Sequence, residues 1–411
     1  MSVLSGIRVL DFSRYIAGPY CASILADLGA DVIRIEPVAG GEDRLLVPVT
    51  EEGQGALFLQ MNRNKRSLAI DMASKEVQPI LSRLIATADV VVTNMPVDAL
   101  KRQGLHRERL VAVRPDIITT NLSAFGQSEA LRAKTGFDAV AQAISGAAYL
   151  GGSEDAPSRA ASSYVDYGTG LAGAMGTLAA LIERMKSGKG QDVQASLLAT
   201  AMTFINAAHI EAAAKGADRQ PWGNRSPFSG PSDFFATLDG FIAVQVVGNI
   251  MFQRWARLIG RPELVSDPRF ASDSMRGLNG EQLSVFMRAW CEGKATDEAL
   301  ALLARAGIPA GPVYSPRESL TAPDIAASGV LQPTEVAGAP APLPLAELLV
   351  RFGDSAAGIR SAAPMVGEHS VAILESLGLS AQEIAVLVAR HLVGAPERRG
   401  TVKAAAGALR P

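Results

Sequence analysis

Asp166 has the sequence setting of a residue that takes part in chemistry. It lies in residues 163–170, where the apolar pair Tyr164 and Val165 precedes it and Gly168 and Gly170 follow. Small and apolar residues with helical spacing then occupy positions 171–182. This pattern predicts that an extended segment ends and a helix begins close to Asp166.

Two interpretations of Asp166 follow from that position. As an N-cap it would accept a hydrogen bond from the first turn and stabilise the helix by roughly 0.5–2 kcal/mol. As a nucleophile or acid–base group it would use the space beside Gly168 and Gly170, whose amides would stabilise a developing oxyanion. These eight residues alone favour the cap, so the rest of the chain must decide.

A basic cluster is the second candidate site. Arg63, Lys65 and Arg66 place three cations within four residues, directly before the strand-like run 68–72. Guanidinium and ammonium groups suit the oxygens of a phosphate. A solvated charged turn is the alternative, and it is the better interpretation of the cluster taken alone.

Length and composition limit the class of protein. A chain of 411 residues exceeds one ordinary core, so we expect two domains. A hydrophobic content of 48% with 19% charged residues is typical of a globular protein. The net charge of -2 offers no field that would attract nucleic acid.

The cysteines and histidines argue against a disulfide framework and a metal centre. Two cysteines are too few for a disulfide framework, which suits a reducing cytoplasm. The four histidines lie far apart and show no metal-ligand spacing. Residues 6–12 resemble a strand rather than a signal peptide, because Asp11 interrupts them. The longest weakly polar run, 168–182, is shorter than the ~20 residues of a membrane span, so we expect no membrane partner.

The elements that must position these residues begin with a βαβ unit. Residues 6–12 and 31–36 read as strands around a helix at 20–28, which predicts a parallel sheet of an α/β fold. A helix at 77–86 and strands at 89–93 and 117–122 extend it. Ligands bind at the carboxyl ends of such strands. The first turn lacks Gly-x-Gly-x-x-Gly, which argues against a nicotinamide-dependent oxidoreductase.

The second half of the chain predicts a smaller α+β domain. Glycine, proline and serine are dense at 221–231, which marks a boundary. Beyond it, 234–246 with its Asp239-Gly240 turn predicts a hairpin, followed by several helices. We expect an extended connector at 307–313, a linker at 338–344, a helix at 368–388 and a mobile tail at 394–411. The predicted division is a large domain (1–205), a linker (206–227), a small domain (228–318) and a return segment with C-terminal helices (319–411).

Several segments together resemble the class III CoA-transferases, the family that includes formyl-CoA:oxalate and crotonobetainyl-CoA:carnitine CoA-transferases. The likeness covers nearly the whole chain in the right order, and the ordered combination is specific although no single segment is. The segments are residues 4–11, 17–19, 28–36, 64–67, 88–94, 136–138, Asp166, 188–191 and 367–369.

The resemblance implies a Rossmann-like large domain that binds CoA, a small domain that helps enclose the acyl group, and ring-shaped chains interlocked as a homodimer. CoA and acyl-CoA would be substrates, with a carboxylic acid as acceptor and no permanently bound cofactor. The aspartate matching Asp166 would be the nucleophile, forming first a mixed anhydride and then an aspartyl-CoA thioester. A carboxylate suits this exchange because it attacks and also leaves well.

The resemblance also implies positions for CoA contacts. Several side chains depart from the family pattern at Ile16, Pro37 and residues 93–95, so main-chain contacts are the safer expectation there. Arg34, Arg44 and Lys65 are the candidates for supplying a cation near Pro37. The implied CoA-binding residues are Ile16, Ala17, Ile70, Asp71, Met72, Asn94, Met95, Arg102, Gly136, Phe137 and Asp138.

Two alternatives remain beside CoA transfer. A 2-methylacyl-CoA racemase of the same fold would need a Gly-His-Asp pattern, whereas this chain has Phe137, which cannot move a proton. A non-catalytic CoA-binding homodimer is the other, and Asp166 with its glycines argues against it. Residues 225–230 and 245–249 are candidates for selecting the acids, and Arg225 pairing with a second carboxylate would favour a dicarboxylate such as succinate.

Overall fold

The computed structural model describes residues 2–126, 128–131, 134–216 and 218–396. Its strands are β1 (Arg8–Asp11), β2 (Asp31–Glu36), β3 (Lys65–Ile70), β4 (Val90–Thr93), β5 (Ile118–Ser123), β6 (Asp192–Ser196), β7 (Ser232–Ala236), β8 (Phe241–Gln245), β9 (Ala310–Pro312), β10 (Leu331–Thr334), β11 (Leu343–Ala346) and β12 (Val393–Gly394).

Its α-helices are α1 (Ala17–Asp27), α2 (Ala56–Asn62), α3 (Gln78–Ala86), α4 (Val97–Gln103), α5 (Arg107–Val113), α6 (Asp138–Ile144), α7 (Ala147–Leu150), α8 (Tyr164–Ser187), α9 (Leu197–Lys215), α10 (Asn249–Leu258), α11 (Asp273–Leu278), α12 (Gly280–Cys291), α13 (Thr296–Arg305), α14 (Pro316–Ser319), α15 (Pro323–Ser328), α16 (Ser370–Ser376) and α17 (Ala381–Ala389). Short 3-10 helices lie at Glu42–Leu45, Pro262–Ser266 and Pro268–Phe270.

The chain divides into two compact units. Among the described residues, the first draws on 2–141, 162–204 and 330–396, and the second on 142–161, 205–216 and 218–329. Residues 142–161, assigned to the large domain from sequence, cluster with the second unit. The segment expected as a linker from residue 206 begins as helix, because α9 continues to Lys215.

The first unit is built on a seven-stranded sheet in the order β12-β3-β2-β1-β4-β5-β6. β1 to β6 pair in parallel, which confirms the α/β prediction, and β12 runs antiparallel beside β3. Apolar strand residues face a buried cluster on each side of the sheet. The strand order reverses at β1, and the crevice between the carboxyl ends of β1 and β4 is where open α/β sheets bind ligands.

Helices α1 and α8 cover one face of this sheet at close range. A Cβ atom added to Gly170 would lie 2.8 Å from the carbonyl oxygen of Ala17, and one on Gly173 would lie 3.2 Å from the sulfur of Cys21. The small residues of α8 therefore let two helix backbones approach each other. This contact fixes the start of α8, and with it Asp166, against the end of the loop that follows β1.

The second unit has its own core. Strands β7, β8 and β9 form an antiparallel sheet, which helices α10, α12 and α13 cover. Trp255 and Phe235 are fully buried there. The hairpin predicted at 234–246 is present as β7 and β8. Residues 310–312, expected as part of an extended connector, instead complete the sheet as β9, because they pair with β8.

The C-terminal part of the first unit differs from the prediction in two places. The single helix expected at 368–388 is two helices, α16 and α17, because Gly378 has a φ of +85° and Ser380 starts a new capping box with Glu383. Gly394, expected to begin a mobile tail, belongs to β12. Residues 397–411 of that predicted tail lie outside the described residues.

Candidate functional site

Asp166 occupies the first turn of α8, as the third residue of the helix. Its carboxylate makes no hydrogen bond to any residue that the structure describes. Burial and the nearby Asp138 carboxylate raise the pKa of Asp166 to about 7. Both effects disfavour the charged form, since burial removes water and Asp138 carries like charge.

Asp138, not Asp166, caps helix α8. The backbone N–H groups of Val165 and Asp166 donate to Oδ2 of Asp138 at 2.8 and 3.1 Å. The cap interpretation of Asp166 is therefore wrong, since the amides it would need are already engaged. The expected oxyanion role of Gly168 and Gly170 is also wrong, because both lie inside α8, where their amides donate to the preceding turn.

Asp166 lines a cleft of about 220 Å³ at the carboxyl ends of β1, β4 and β5. We call it the Asp166 cleft. Its walls are residues 14–17, 94–96, 122–126, 134–137 and Leu197. Phe137 is 66% exposed there. The cleft therefore offers one carboxylate with free oxygens, apolar surface and an opening to solvent.

A second cleft of about 380 Å³, the Met72 cleft, lies at the carboxyl ends of β2 and β3. It is lined by residues 34–38, 70–73, Phe12, Gln103 and His391, and it shares Arg14 and Met95 with the Asp166 cleft. The two clefts therefore adjoin. Together they form one groove, with Asp166 on the wall of one part and residues 70–73 on the wall of the other.

The structure distributes the predicted CoA contacts over these clefts. Two of them, Arg102 and Asp138, line neither: Arg102 is exposed on α4, and Asp138 is buried beneath α8. The others divide as follows: Ile16, Ala17, Asn94, Met95, Gly136 and Phe137 line the Asp166 cleft, and Ile70, Asp71 and Met72 line the Met72 cleft, which Met95 shares.

The loop after β1 is held in place by its neighbours. The Asn94 side chain accepts a hydrogen bond from the Arg14 amide at 3.1 Å and donates to the Arg14 carbonyl at 2.6 Å. Tyr15, at a φ of +70°, donates from its hydroxyl to Glu42 at 2.6 Å. The Asn94 side-chain amide is thus engaged in fixing Arg14, one of the two residues common to both clefts.

The basic cluster has neither of the roles considered from sequence. Arg63 pairs with Asp27 at 2.6 Å and Lys65 with Asp11 at 2.7 Å, and all four side chains are buried. Arg66 pairs with Asp31 at the surface. The cluster neutralises carboxylates of the fold, so it is neither a phosphate site nor a solvated turn.

Of the cations suggested to lie near Pro37, Arg34 does line the Met72 cleft with it, but both Arg34 and Arg44 are already paired with buried carboxylates. Arg34 pairs with Asp43 and Arg44 with Glu36, each at 2.7 Å, and all four groups are buried. Sequence reasoning missed Arg14, which lines both clefts and is half-exposed. Its position, three residues after the carboxyl end of a central parallel strand, was the available signal.

The second unit contains a separate cavity of about 450 Å³. Arg225, Ser226 and Gln245, from the segments expected to select the acids, are among its lining residues. Arg225 lies 3.5 Å from Glu281 and remains partly exposed.

No group of three or more potential metal ligands is found among the described residues. Among the described residues, helix α9 is long and apolar enough, by length and composition, to cross a membrane, although the core helix of a soluble protein passes the same test. It was not the run singled out from sequence, and only 11% of its most apolar window is buried.

Comparison with known proteins gives consistent matches. Residues 4–370 match CoA-transferase family III. The chain is 34% identical to an acyl-CoA transferase of Fusarium pseudograminearum, covering 93% of this chain and 86% of that protein. It is 30% identical to the succinyl-CoA–D-citramalate CoA-transferase of Chloroflexus aurantiacus, over 95% and 98% of the two chains. A crystal structure of a CaiB/BaiF family protein from Brucella suis superposes with a TM-score of 0.81 at 30% identity, covering 92% and 99%.

Proposed function

The chain belongs to CoA-transferase family III and is a CoA-transferase, and we propose that it moves CoA between two carboxylic acids through a covalent intermediate on Asp166. The observation that carries this proposal is that the Asp166 carboxylate makes no hydrogen bond to a described residue and lines a groove formed by two adjoining clefts. An acyl-CoA laid along the groove would place its adenine end near residues 70–72 and its thioester near Asp166.

The proposed reaction has four steps, and each exchanges one bond for another. An Asp166 oxygen attacks the donor thioester carbon, the C–S bond breaks, and a mixed anhydride and CoA thiolate result. The thiolate attacks the aspartyl carbonyl, releasing the donor acid and leaving an aspartyl-CoA thioester. The acceptor carboxylate then attacks that thioester, and the released thiolate attacks the acceptor acyl carbon. Asp166 returns as a carboxylate, with no net proton or electron required.

The raised pKa of Asp166 supports this role. A carboxylate that is poorly solvated and close to another anion is a stronger nucleophile than one in water. Asp166→Asn and Asp166→Ala are expected to abolish transfer while CoA still binds with little change in Kd. Turnover by either variant near the parental rate would remove Asp166 from the mechanism.

We propose a dicarboxylate such as succinate as one of the acids. The name of the C. aurantiacus relative supports this, since both acids in it are dicarboxylates. Arg14 and Lys134 are the basic side chains on the described walls of the Asp166 cleft and are candidates for pairing with a distal carboxylate. Kinetics with succinyl-CoA and butyryl-CoA as donors test this, with kcat/KM expected at least about tenfold higher for succinyl-CoA.

We further propose that the enzyme acts in the cytoplasm as an interlocked homodimer of ring-shaped chains. Helix α8 leaves Leu171, Met175, Ile182 and Met185 exposed along one stripe, and such surfaces are usually covered by a partner. Free, buried Cys21 and Cys291 suit a reducing compartment. Light scattering should give twice the chain mass of 43.0 kDa. A monomeric mass would contradict the dimer, and flotation of the protein with lipid vesicles would contradict the cytoplasmic location.

A further inference from the structure

Two carboxylates lie at the start of helix α8, where the backbone offers amides and the positive end of the helix dipole. Asp166 belongs to the helix itself, and Asp138 reaches it from the first residue of α6. A carboxylate in this position is normally stabilised by the free amides and by the dipole. In the structure, the amides of Val165 and Asp166 donate to Asp138.

The contacts and burial of Asp138 explain why it, rather than Asp166, accepts the hydrogen bonds from these amides. Oδ2 accepts from both Val165 and Asp166, and the Asp138 side chain is nearly fully buried, with 6% of the residue exposed. Asp166 keeps more contact with solvent and lines the cleft, which Asp138 does not. One carboxylate therefore holds the helix, and the other faces the reaction space.

We infer that Asp138 is a positioning residue, which occupies the amides at the start of α8 and so keeps both oxygens of the Asp166 carboxylate available for attack. The inference rests on the proposed function of Asp166. It replaces the CoA contact that the family resemblance implies for Asp138, since the buried carboxylate is turned to the helix rather than to either cleft.

The like charge of Asp138 supports the same role. It adds to burial in raising the pKa of Asp166. Among the described residues, the other charged or titratable groups that share the cleft or the helix turn with Asp166 are Arg14, Tyr15, Lys134, Tyr164 and Tyr167. Removing the Asp138 charge therefore lowers the pKa of Asp166, although burial still keeps it above its usual range.

The test compares Asp138→Asn with Asp138→Ala. Asparagine retains an oxygen that accepts from the two amides but has no charge. In the parent, kcat/KM is expected to fall at acidic pH with an apparent pKa near 7, that of Asp166. In Asp138→Asn we expect this apparent pKa to be lower by roughly one pH unit. Alanine frees the amides for Asp166, so kcat is expected to fall at least about tenfold while KM for acyl-CoA changes less than about threefold.

Asp89→Asn is the matched control. Asp89 is also buried and holds the opposite end of α8, where it accepts from Arg184 at 3.0 Å. Its variant should lower stability without moving the pH profile. Titrating Asp166 by carbon-13 NMR in parent and Asp138→Asn protein, with Asp166→Asn to assign the signal, checks the pKa independently of activity.

An unchanged pH profile and NMR pKa in Asp138→Asn would overturn the inference, and so would a rise in KM alone in Asp138→Ala. These outcomes differ from a failure of the proposed function, which would appear as activity in Asp166→Asn. In that case the Asp138 variants would be read through the NMR titration, where an unshifted pKa still contradicts the inference.

Discussion

The rings of Tyr15 and Phe137 lie nearly perpendicular, at 88°, with centroids 5.9 Å apart on the wall of the Asp166 cleft. Tyr15 follows β1 and Phe137 precedes α6, so the pair joins two loops beside the Asp166 carboxylate. The Phe137 ring remains largely exposed. It is available to pack against the pantetheine arm or the acyl chain of a bound substrate.

Replacing Phe137 by alanine should weaken substrate binding. Losing the apolar contact is expected to raise KM for acyl-CoA roughly tenfold, with a smaller effect on kcat. Phe137→Leu keeps apolar surface and serves as the control, with an intermediate KM. Steady-state kinetics measure this, and a fall in kcat at constant KM would contradict a binding role.

Replacing Lys65 by methionine should strongly destabilise the first unit. The Lys65 ammonium donates to Asp11 Oδ2, to the Pro19 carbonyl and to Asn62, and its loss leaves a buried charge on Asp11. The expected loss of unfolding free energy is about 3–5 kcal/mol, measured by urea denaturation.

Arg66→Met is the control for that experiment. Arg66 lies next to Lys65 but pairs with Asp31 at the surface, where the expected cost is at most about 1 kcal/mol. Similar urea midpoints for the two variants would show that burial of the Lys65 pair does not set its contribution.

Asp166→Asn should stabilise the protein at alkaline pH. The folded-state pKa of Asp166, about 7, lies above the ordinary 3.8, so the native state binds the proton more tightly than the unfolded state. Its contribution is complete below pH 3.8 and is lost as pH rises through 7, a change of at most about 4 kcal/mol.

Asparagine has no charge to bury, so the variant should exceed the parent in urea midpoint at pH 8. The difference should shrink at pH 5. Equal differences at both pH values would show that the Asp166 carboxylate is not destabilised by its surroundings.

The racemase alternative predicts a different label pattern. Phe137 stands where that reaction needs a histidine, and a phenyl ring carries no exchangeable proton. Incubation of the enzyme with a 2-methylacyl-CoA in deuterated water should leave the α-carbon unlabelled, as judged by mass spectrometry. Deuterium at that carbon at a rate comparable to CoA transfer would favour racemisation.

Much of the fold could be predicted from local patterns. Residues 31–36 are rich in β-branched valine and isoleucine and follow a glycine-closed helix, and they form β2 as expected. The parallel sheet follows from such units because short strand–helix–strand connections leave few arrangements. β12 could not be predicted, because a two-residue strand acquires its structure only by pairing with Ile70 and Ala69.

The site was harder to predict because it depends on contacts that are distant in sequence. Asp166 was found because glycines follow it, but the residue that caps its helix is Asp138, 28 residues earlier. Arg63 and Lys65 looked like ligand-binding cations because their partners, Asp27 and Asp11, lie on α1 and β1. Sequence spacing shows which groups are charged, and only the fold shows which charges are already neutralised.

The most direct test of the account is to trap the covalent intermediate. The enzyme is incubated with succinyl-CoA and hydroxylamine, digested, and sequenced by mass spectrometry, with Asp166→Asn as the control. The account predicts a hydroxamate on Asp166 that depends on succinyl-CoA. An unmodified Asp166 peptide in enzyme that turns over at its full rate would contradict it.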